Sequence, residues 1–267
     1  MKRVVVSLMI VGLTTIFTFG QKTEIRTVSN FTGIDASGSF EITVTKGNTE
    51  ALTIETDNET MLSYVLSEVK NGVLRLYLKS DPNRINIKTL KASVVMRDFA
   101  NVSLSGVCTL TANDLFNSNS FKGICSGSSN MTVNINTGKM TIEASGTSKI
   151  KMKANVTGDT SINVSGASNV QGELKASNMK INAGGTSKTE LTGLATNINM
   201  DMSGESSFDS KDFTTQTATV KSKDTSRVTI NVTEALNVNS SGSSTIFYKG
   251  TPTITVNRSG TSKVNKI

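Results

Sequence analysis

Through the second half of the chain, apolar and polar positions alternate on either side of a recurring tetrapeptide close to Ser-Gly-Xaa-Ser. It stands at Ser105-Gly106-Val107-Cys108, then at Ser126–Ser129, Ser145–Ser148 and Ser165–Ser168. It continues at Gly184-Gly185-Thr186-Ser187, Ser203–Ser206, Lys223-Asp224-Thr225-Ser226, Ser241–Ser244 and Ser259–Ser262. The second position falls at 106, 127, 146, 166, 185, 204, 224, 242 and 260, in steps of 18 to 21 residues. Four residues before it stand Ile142, Ile162, Ile181, Met200, Val220, Val238 and Val256; four after it stand Ile150, Val170, Thr189, Phe208, Val228, Ile246 and Val264. Three before it the residues are polar: Glu143, Asn163, Asn182, Asp201, Lys221, Asn239 and Asn257. A period of two is the mark of a strand whose successive side chains face opposite ways. Even offsets are therefore predicted to point inward and odd offsets outward. Two short strands meet at each repeat, where Gly106, Gly127, Gly146, Gly166, Gly185, Gly204, Gly242 and Gly260 leave room for a sharp corner.

A unit this short cannot bury its apolar face alone, but stacked units can, each coil pairing in parallel with the next at about 4.8 Å. The register of whole columns favours this arrangement over a sandwich of independent hairpins. The predicted fold is all-β: a single-stranded parallel β-solenoid, expected as a right-handed β-helix, of about nine coils of 18–21 residues over residues 101–267. Residues 21–100 lack the repeat and are predicted to form a mixed β cap region continuous with it, covering an edge that would otherwise invite pairing. There Phe40, Ile42 and Val44 alternate, as do Leu74, Leu76 and Leu78 after an Asn71-Gly72 turn, while Leu62, Val65, Leu66 and Val69 fit the spacing of one short helix.

The first twenty residues read as a signal peptide rather than as fold. Lys2 and Arg3 precede an apolar run from Val4 to Phe19, and Thr18-Phe19-Gly20 supplies small residues for cleavage after Gly20. The apolar run is short of the roughly 20 residues that span a bilayer. No cysteine stands at the expected cleavage point to take a lipid, and no second hydrophobic span follows. The expectation is an exported chain, in the periplasm, on the outer-membrane surface or outside the cell, with no transmembrane segment after cleavage.

The order of motifs in the first hundred residues resembles a known family. Ile25-Arg26-Thr27-Val28 is followed by Phe31-Thr32-Gly33-Ile34, Ser37-Gly38-Ser39-Phe40 and Ile42-Thr43-Val44. Ser67-Glu68-Val69-Lys70-Asn71-Gly72-Val73-Leu74 then leads into the Ser-Gly repeats. Over residues 24–265 the sequence is similar to the putative auto-transporter adhesin, head GIN domain family of Gram-negative envelopes. The resemblance implies a β-helical exported protein with an adhesin-like role, and it brings no catalytic motif with it.

Charge and composition narrow the chemistry. The 267 residues carry 28 Lys and Arg against 21 Asp and Glu, and removing Lys2 and Arg3 lowers the formal charge from +7 to +5. No basic block interleaves with aromatics, so nucleic acid is not an expected partner. The absence of His removes Ser-His-Asp and Cys-His catalysis and most zinc sites, and no phosphate loop or calcium-loop motif occurs, so no cofactor or metal is expected. The reading is of a non-enzyme. A polysaccharide-active enzyme stands as an alternative by fold analogy, with Asp201, Glu205, Asp209, Asp212 and Asp224 the best local supply of acids.

Two columns stand out. The inward column two after the corner is Ser129, Ser148, Ser168, Ser187, Ser206, Ser226, Ser244 and Ser262, with Cys108 in the first coil. Buried hydroxyls need partners, either along their own column or in the corner backbone. The outward column three after the corner reads Thr109, Asn130, Lys149, Asn169, Lys188, Ser207, Arg227, Thr245, Lys263. Like charges on adjacent coils would repel by ~0.9 kcal/mol in water, and setting cations on every second coil roughly halves that. Lys149, Lys188, Arg227 and Lys263 are thus either a solvated strand face or a ligand-binding stripe for an anionic polymer. Cys108 and Cys125 flank one corner on consecutive coils and are a disulfide candidate in an exported chain. The expected function is an adhesin-like module presenting flat faces to a glycan or to an envelope or host surface protein. A self-assembling envelope protein, stacking as a homo-oligomer through the solenoid ends, is the alternative.

Overall fold

A computed structural model describes residues 22–57, 59–79 and 90–267. The expected signal peptide at 1–20 lies outside the described residues. The chain enters along β1 (Lys22–Arg26) and lays down β2 (Gly33–Gly38) and β3 (Glu41–Lys46) around a corner at Gly38. It then departs through β4 (Ala51–Thr56), one helical turn α1 (Glu59–Leu62), β5 (Val65–Lys70), β6 (Val73–Leu78) and β7 (Leu90–Met96). From β8 (Asn101–Gly106) and β9 (Thr109–Cys125) the coils follow one another through β10 (Asn130–Ala144), β11 (Lys149–Val156), β12 (Asp159–Val164) and β13 (Asn169–Ala183). They continue with β14 (Lys188–Met202), β15 (Ser207–Ser222), β16 (Arg227–Ser240), β17 (Thr245–Lys249), β18 (Thr253–Arg258) and β19 (Lys263–Lys266). All belong to one continuous sheet wound into a parallel β-solenoid.

The predicted columns stack in register. Ile142, Ile162, Ile181, Met200, Val220, Val238 and Val256 pair coil to coil before the corner. Ile150, Val170, Thr189, Phe208, Val228, Ile246 and Val264 do so after it. Most of these side chains are buried, and each full burial of an aliphatic is worth about 1.5–3 kcal/mol. Odd offsets face solvent, as the alternating burial of β11 shows.

The corner holds glycine for two separate reasons. Its residues are left-handed, with φ of 69° at Gly166 and 70° at Gly185. They also stack backbone on backbone: a Cβ on Gly166 would lie 2.6 Å from the Gly146 carbonyl oxygen. The inter-coil ladder runs straight through the bend, with the Thr147 amide donating to Gly127 O (2.8 Å) and the Ala167 amide to Gly146 O (2.8 Å). Behind it the serine column donates to the corner backbone rather than along itself. Ser129 Oγ reaches Ser126 O at 2.9 Å and Ser244 Oγ reaches Ser241 O at 3.0 Å, while Ser148 and Ser206 reach the carbonyls of Cys125 and Ala183 on the preceding coil.

Two expectations about the first hundred residues change. The corner column extends back to Gly38, since the Val107 amide donates to Gly38 O (2.7 Å) and β2 and β3 pair in parallel with β8 and β9. The helix expected over Leu62–Val69 is absent. Among the described residues only Glu59–Leu62 is helical, and Val65–Lys70 is a strand hairpinned to β6. The left-handed pair Asn71 (φ 52°) and Gly72 (φ 73°) closes that hairpin, and cross-strand pairing overrides the helical spacing.

The excursion between β3 and β8 covers one end of the stack. β6 and β7 add parallel strands outside β2 and β3. Chain direction then reverses, with β5 antiparallel to β6, β4 to β7 and β1 to β4. Arg26 pins this cap, its guanidinium donating to Val65 O (2.7 Å) and Leu62 O (2.9 Å). Phe99 packs on Phe116 and Phe121, with centroids 5.1 and 5.7 Å apart, filling the core where cap and regular coils meet.

Candidate functional site

The outward column is continuous in space. Thr109, Asn130, Lys149, Asn169, Lys188, Ser207, Arg227, Thr245 and Lys263 are successive register partners. Two coil spacings place the cations about 9.6 Å apart. Lys188 is the exception to a free stripe: its Nζ lies 2.7 Å from Glu190 Oε1 on the same strand, and that hydrogen bond holds the Lys188 ammonium above its usual pKa. Among the described residues Lys149, Arg227 and Lys263 have no ion-pair partner.

Farther along the same face two outward columns border a trench of about 400 Å³. One column is Leu115, Asn134, Lys153 and Glu173; the other is Asn117, Asn136, Asn155 and Lys175. The buried residues Ile135 and Ala154 supply the floor between them. The trench follows the stacking axis across four coils. A bulge in β9 makes one end, because Asn113 and Asp114 are extra residues between Ala112 and Leu115. The Asp114 carboxylate accepts from the Lys46 amide (2.8 Å) and Lys46 Nζ donates to Leu115 O (3.0 Å), which fixes the bulge against β3 and leaves Leu115 46% exposed.

The polar groups here are only partly engaged. Asn136 Nδ2 donates to Asn117 Oδ1 (3.2 Å), Asn134 Nδ2 donates to Asn113 O (3.2 Å), and Lys153 pairs with Glu173 at 3.4 Å. The side chains of Asn155 and Lys175 have no partner among the described residues. Beyond the trench several amides are consumed within the wall, whereas the buried Asn169 Oδ1 has no partner among the described residues. Asn178 donates to Asp159 (3.1 Å), Asn197 to Asn178 (2.9 Å) and Thr217 to Asn197 (2.7 Å), while Asn182 donates to Asn163 at 2.7 Å. From β10 onward the trench residues lie seven and nine positions after the corner, and the β9 bulge shifts Leu115 and Asn117 to nine and eleven, all beyond the offsets read from the sequence. The polar pairs Asn134/Asn136, Lys153/Asn155 and Glu173/Lys175, all at odd offsets, were the signal that could have found them.

Asp224 occupies a corner position with φ 61°, and its carboxylate accepts from the Gly204 amide at 3.0 Å, a backbone role. The 360 Å³ groove before the corner contains one carboxylate, Asp201, among asparagine and serine. Among the described residues no group of three or more His, Cys, Asp or Glu side chains could hold a metal ion, and no helix is long and apolar enough to cross a membrane.

Cys108 and Cys125 are free thiols, both fully buried, so the candidate disulfide is not formed in this structure. Cys108 Sγ instead contacts Gly38 O at 3.6 Å, on the coil that lies on its far side from Cys125. Burial pushes the Cys125 thiol up to about 12, with the neighbouring Cys108 adding to it, and burial raises Cys108 as well.

The sequence matches the family described as putative auto-transporter adhesin, head GIN domain, over residues 30–158 and again over 153–252. No curated protein matches it. Among solved structures, a putative adhesin from Parabacteroides merdae superposes with a TM-score of 0.72 at 18% identity, covering 93% of this chain and 97% of that one. A putative adhesin from Parabacteroides distasonis gives 0.70 at 18% identity, covering 92% and 97%. A putative lipid binding protein from the same species gives 0.66 at 18% identity, covering 93% and 97%. At such identities these likenesses establish a shared fold.

Proposed function

Since the chain belongs to the putative auto-transporter adhesin, head GIN domain family, we propose that it is an exported, non-catalytic binding module whose long polar face docks a glycan. The observation that carries this reading is the in-register outward face after the corner. There a trench crosses four coils between two polar columns, and the side chains of its Asn155 and Lys175 are unengaged among the described residues. Hydrogen-bonding groups left open on a rigid scaffold suit a ligand dense in hydroxyls, because nothing in the protein must be broken or reordered on binding. The solved structure called a lipid binding protein raises a lipid as ligand, but trenches walled by asparagine, lysine and glutamate favour a polar one. A glycan array probed with the exported chain tests the reading, together with protease treatment of intact cells to place the protein in the envelope. Retention of no glycan would sink it.

Self-assembly is supported by a different observation. Among the described residues β18 and β19 carry no strand on their outer side, and Ile254 and Val256 on β18 are 37% and 42% exposed. Sedimentation velocity over a wide concentration range separates this reading from the first, since end-stacking would raise the sedimentation coefficient with concentration.

A further inference from the structure

We infer that the trench between the Leu115 and Asn117 columns is the ligand subsite, and that it takes a neutral or singly charged linear oligosaccharide laid along the stacking axis. The inference rests on the glycan-binding reading above and gives it a place and a ligand class. The trench has a volume of about 400 Å³, and its long direction crosses the coils. Outward columns in register therefore offer a fresh pair of side chains every ~4.8 Å. A pyranose in an extended chain advances by a similar step, so successive sugars meet successive coils.

The residues fit that ligand in kind. Asn155 offers two amide donors and an acceptor with no competing partner, and the Oδ1 atoms of Asn134 and Asn136 stay open because only their Nδ2 groups are used. Such groups can take up vicinal hydroxyls in pairs. Leu115, 46% exposed at the trench end, gives an apolar patch on which the C–H face of a sugar can rest. Glu173 is present as a hydroxyl acceptor, and its charge faces Lys153 at 3.4 Å. This pair distinguishes the trench from the stripe of Lys149, Arg227 and Lys263. A carboxylate inside the trench opposes a polyanion, and Lys175, unpaired among the described residues, leaves a surplus of one positive charge for one acidic substituent.

The test compares three proteins on the same glycan array and in titrations with the glycans retained. They are the full chain, a trench variant carrying Asn155→Ala and Lys175→Ala, and a stripe variant carrying Lys149→Gln and Arg227→Gln. None of the four side chains makes a hydrogen bond or ion pair within the described fold, and far-UV circular dichroism checks that each variant keeps it. The expected result is retention of neutral or singly charged glycans by the full chain and the stripe variant, with Kd raised at least tenfold in the trench variant. Adding Leu115→Ser to the trench variant should weaken binding further. If the trench variant binds as the full chain does, the subsite assignment is wrong while the glycan-binding reading stands. If only polyanionic glycans are retained and the stripe variant loses them, the same conclusion follows. Retention of no glycan by the full chain overturns both.

Discussion

The Asp224 carboxylate accepts a hydrogen bond from the Gly204 amide one coil earlier, 3.0 Å away, and through it a residue with a side chain holds a corner that glycine occupies elsewhere. Its backbone is left-handed, φ 61°, a conformation that Asp tolerates better than most residues because its short side chain can bond locally. Asp224→Ala keeps the strain and loses the bond, and should lower stability by about 1 kcal/mol. Asp224→Gly loses both, and should stay within about 0.5 kcal/mol of the parent. Urea denaturation midpoints check the pair.

Gly166 and Gly72 share nearly the same φ, 69° and 73°, but not the same surroundings. A Cβ at Gly72 meets nothing within 4 Å, whereas one at Gly166 meets the Gly146 carbonyl at 2.6 Å. Gly72→Ala should cost only the left-handed strain, about 1–2 kcal/mol. Gly166→Ala must also push two coils apart and should lose at least double that in the same unfolding measurement.

Ser226 Oγ lies 2.8 Å from Lys223 O and 2.7 Å from Ser222 Oγ, all within the buried side of one corner. Ser226→Ala strands the Ser222 hydroxyl away from water, while the Lys223 carbonyl keeps the residue 226 amide as a donor (3.3 Å), and is expected to destabilise by about 1–3 kcal/mol. The double variant with Ser222→Ala should recover part of this loss, a non-additivity that a double-mutant cycle measures.

Cys125 sets an alkaline limit on stability. Its ordinary pKa of 9.0 governs the unfolded thiol, while burial pushes the folded one up to about 12. Between those values the unfolded chain releases a proton that the folded chain keeps, so stability is full below about pH 9 and falls as pH rises toward 12. Cys125→Ala should flatten the alkaline slope of unfolding free energy against pH. In the native state neither thiol should react with a water-soluble disulfide reagent near neutral pH, because both are fully buried and protonated.

The fold was legible because a solenoid repeats its constraints. Period-two burial put Ile142 and Ile150 inside and Glu143 and Lys149 outside, and a left-handed, backbone-stacked corner admits little but glycine, so the columns recur in the sequence itself. Where the constraints occur once, the sequence was a weaker guide. Val65–Lys70 carries helical spacing but is a strand, because its partner β6 lies just across the Asn71-Gly72 turn. Gly38 belongs to the corner column although 68 residues separate it from Gly106, a gap that hides the period.

Sequence alone determined that this is a stack of short parallel coils with glycine corners, a serine column behind them and cations on alternate coils. Each of those features needs only local alternation and a steady period. Tertiary structure decided how the stack is closed, with β6 and β7 slipped outside β2 and β3 and the chain then reversed, since strand order is set by pairing across the fold and not by succession along it. It also decided which polar columns are spent and which stay open. Asn178 and Asn155 are the same residue type at outward positions, yet one is bonded into a ladder and the other is not, because the neighbour one coil away supplies the difference.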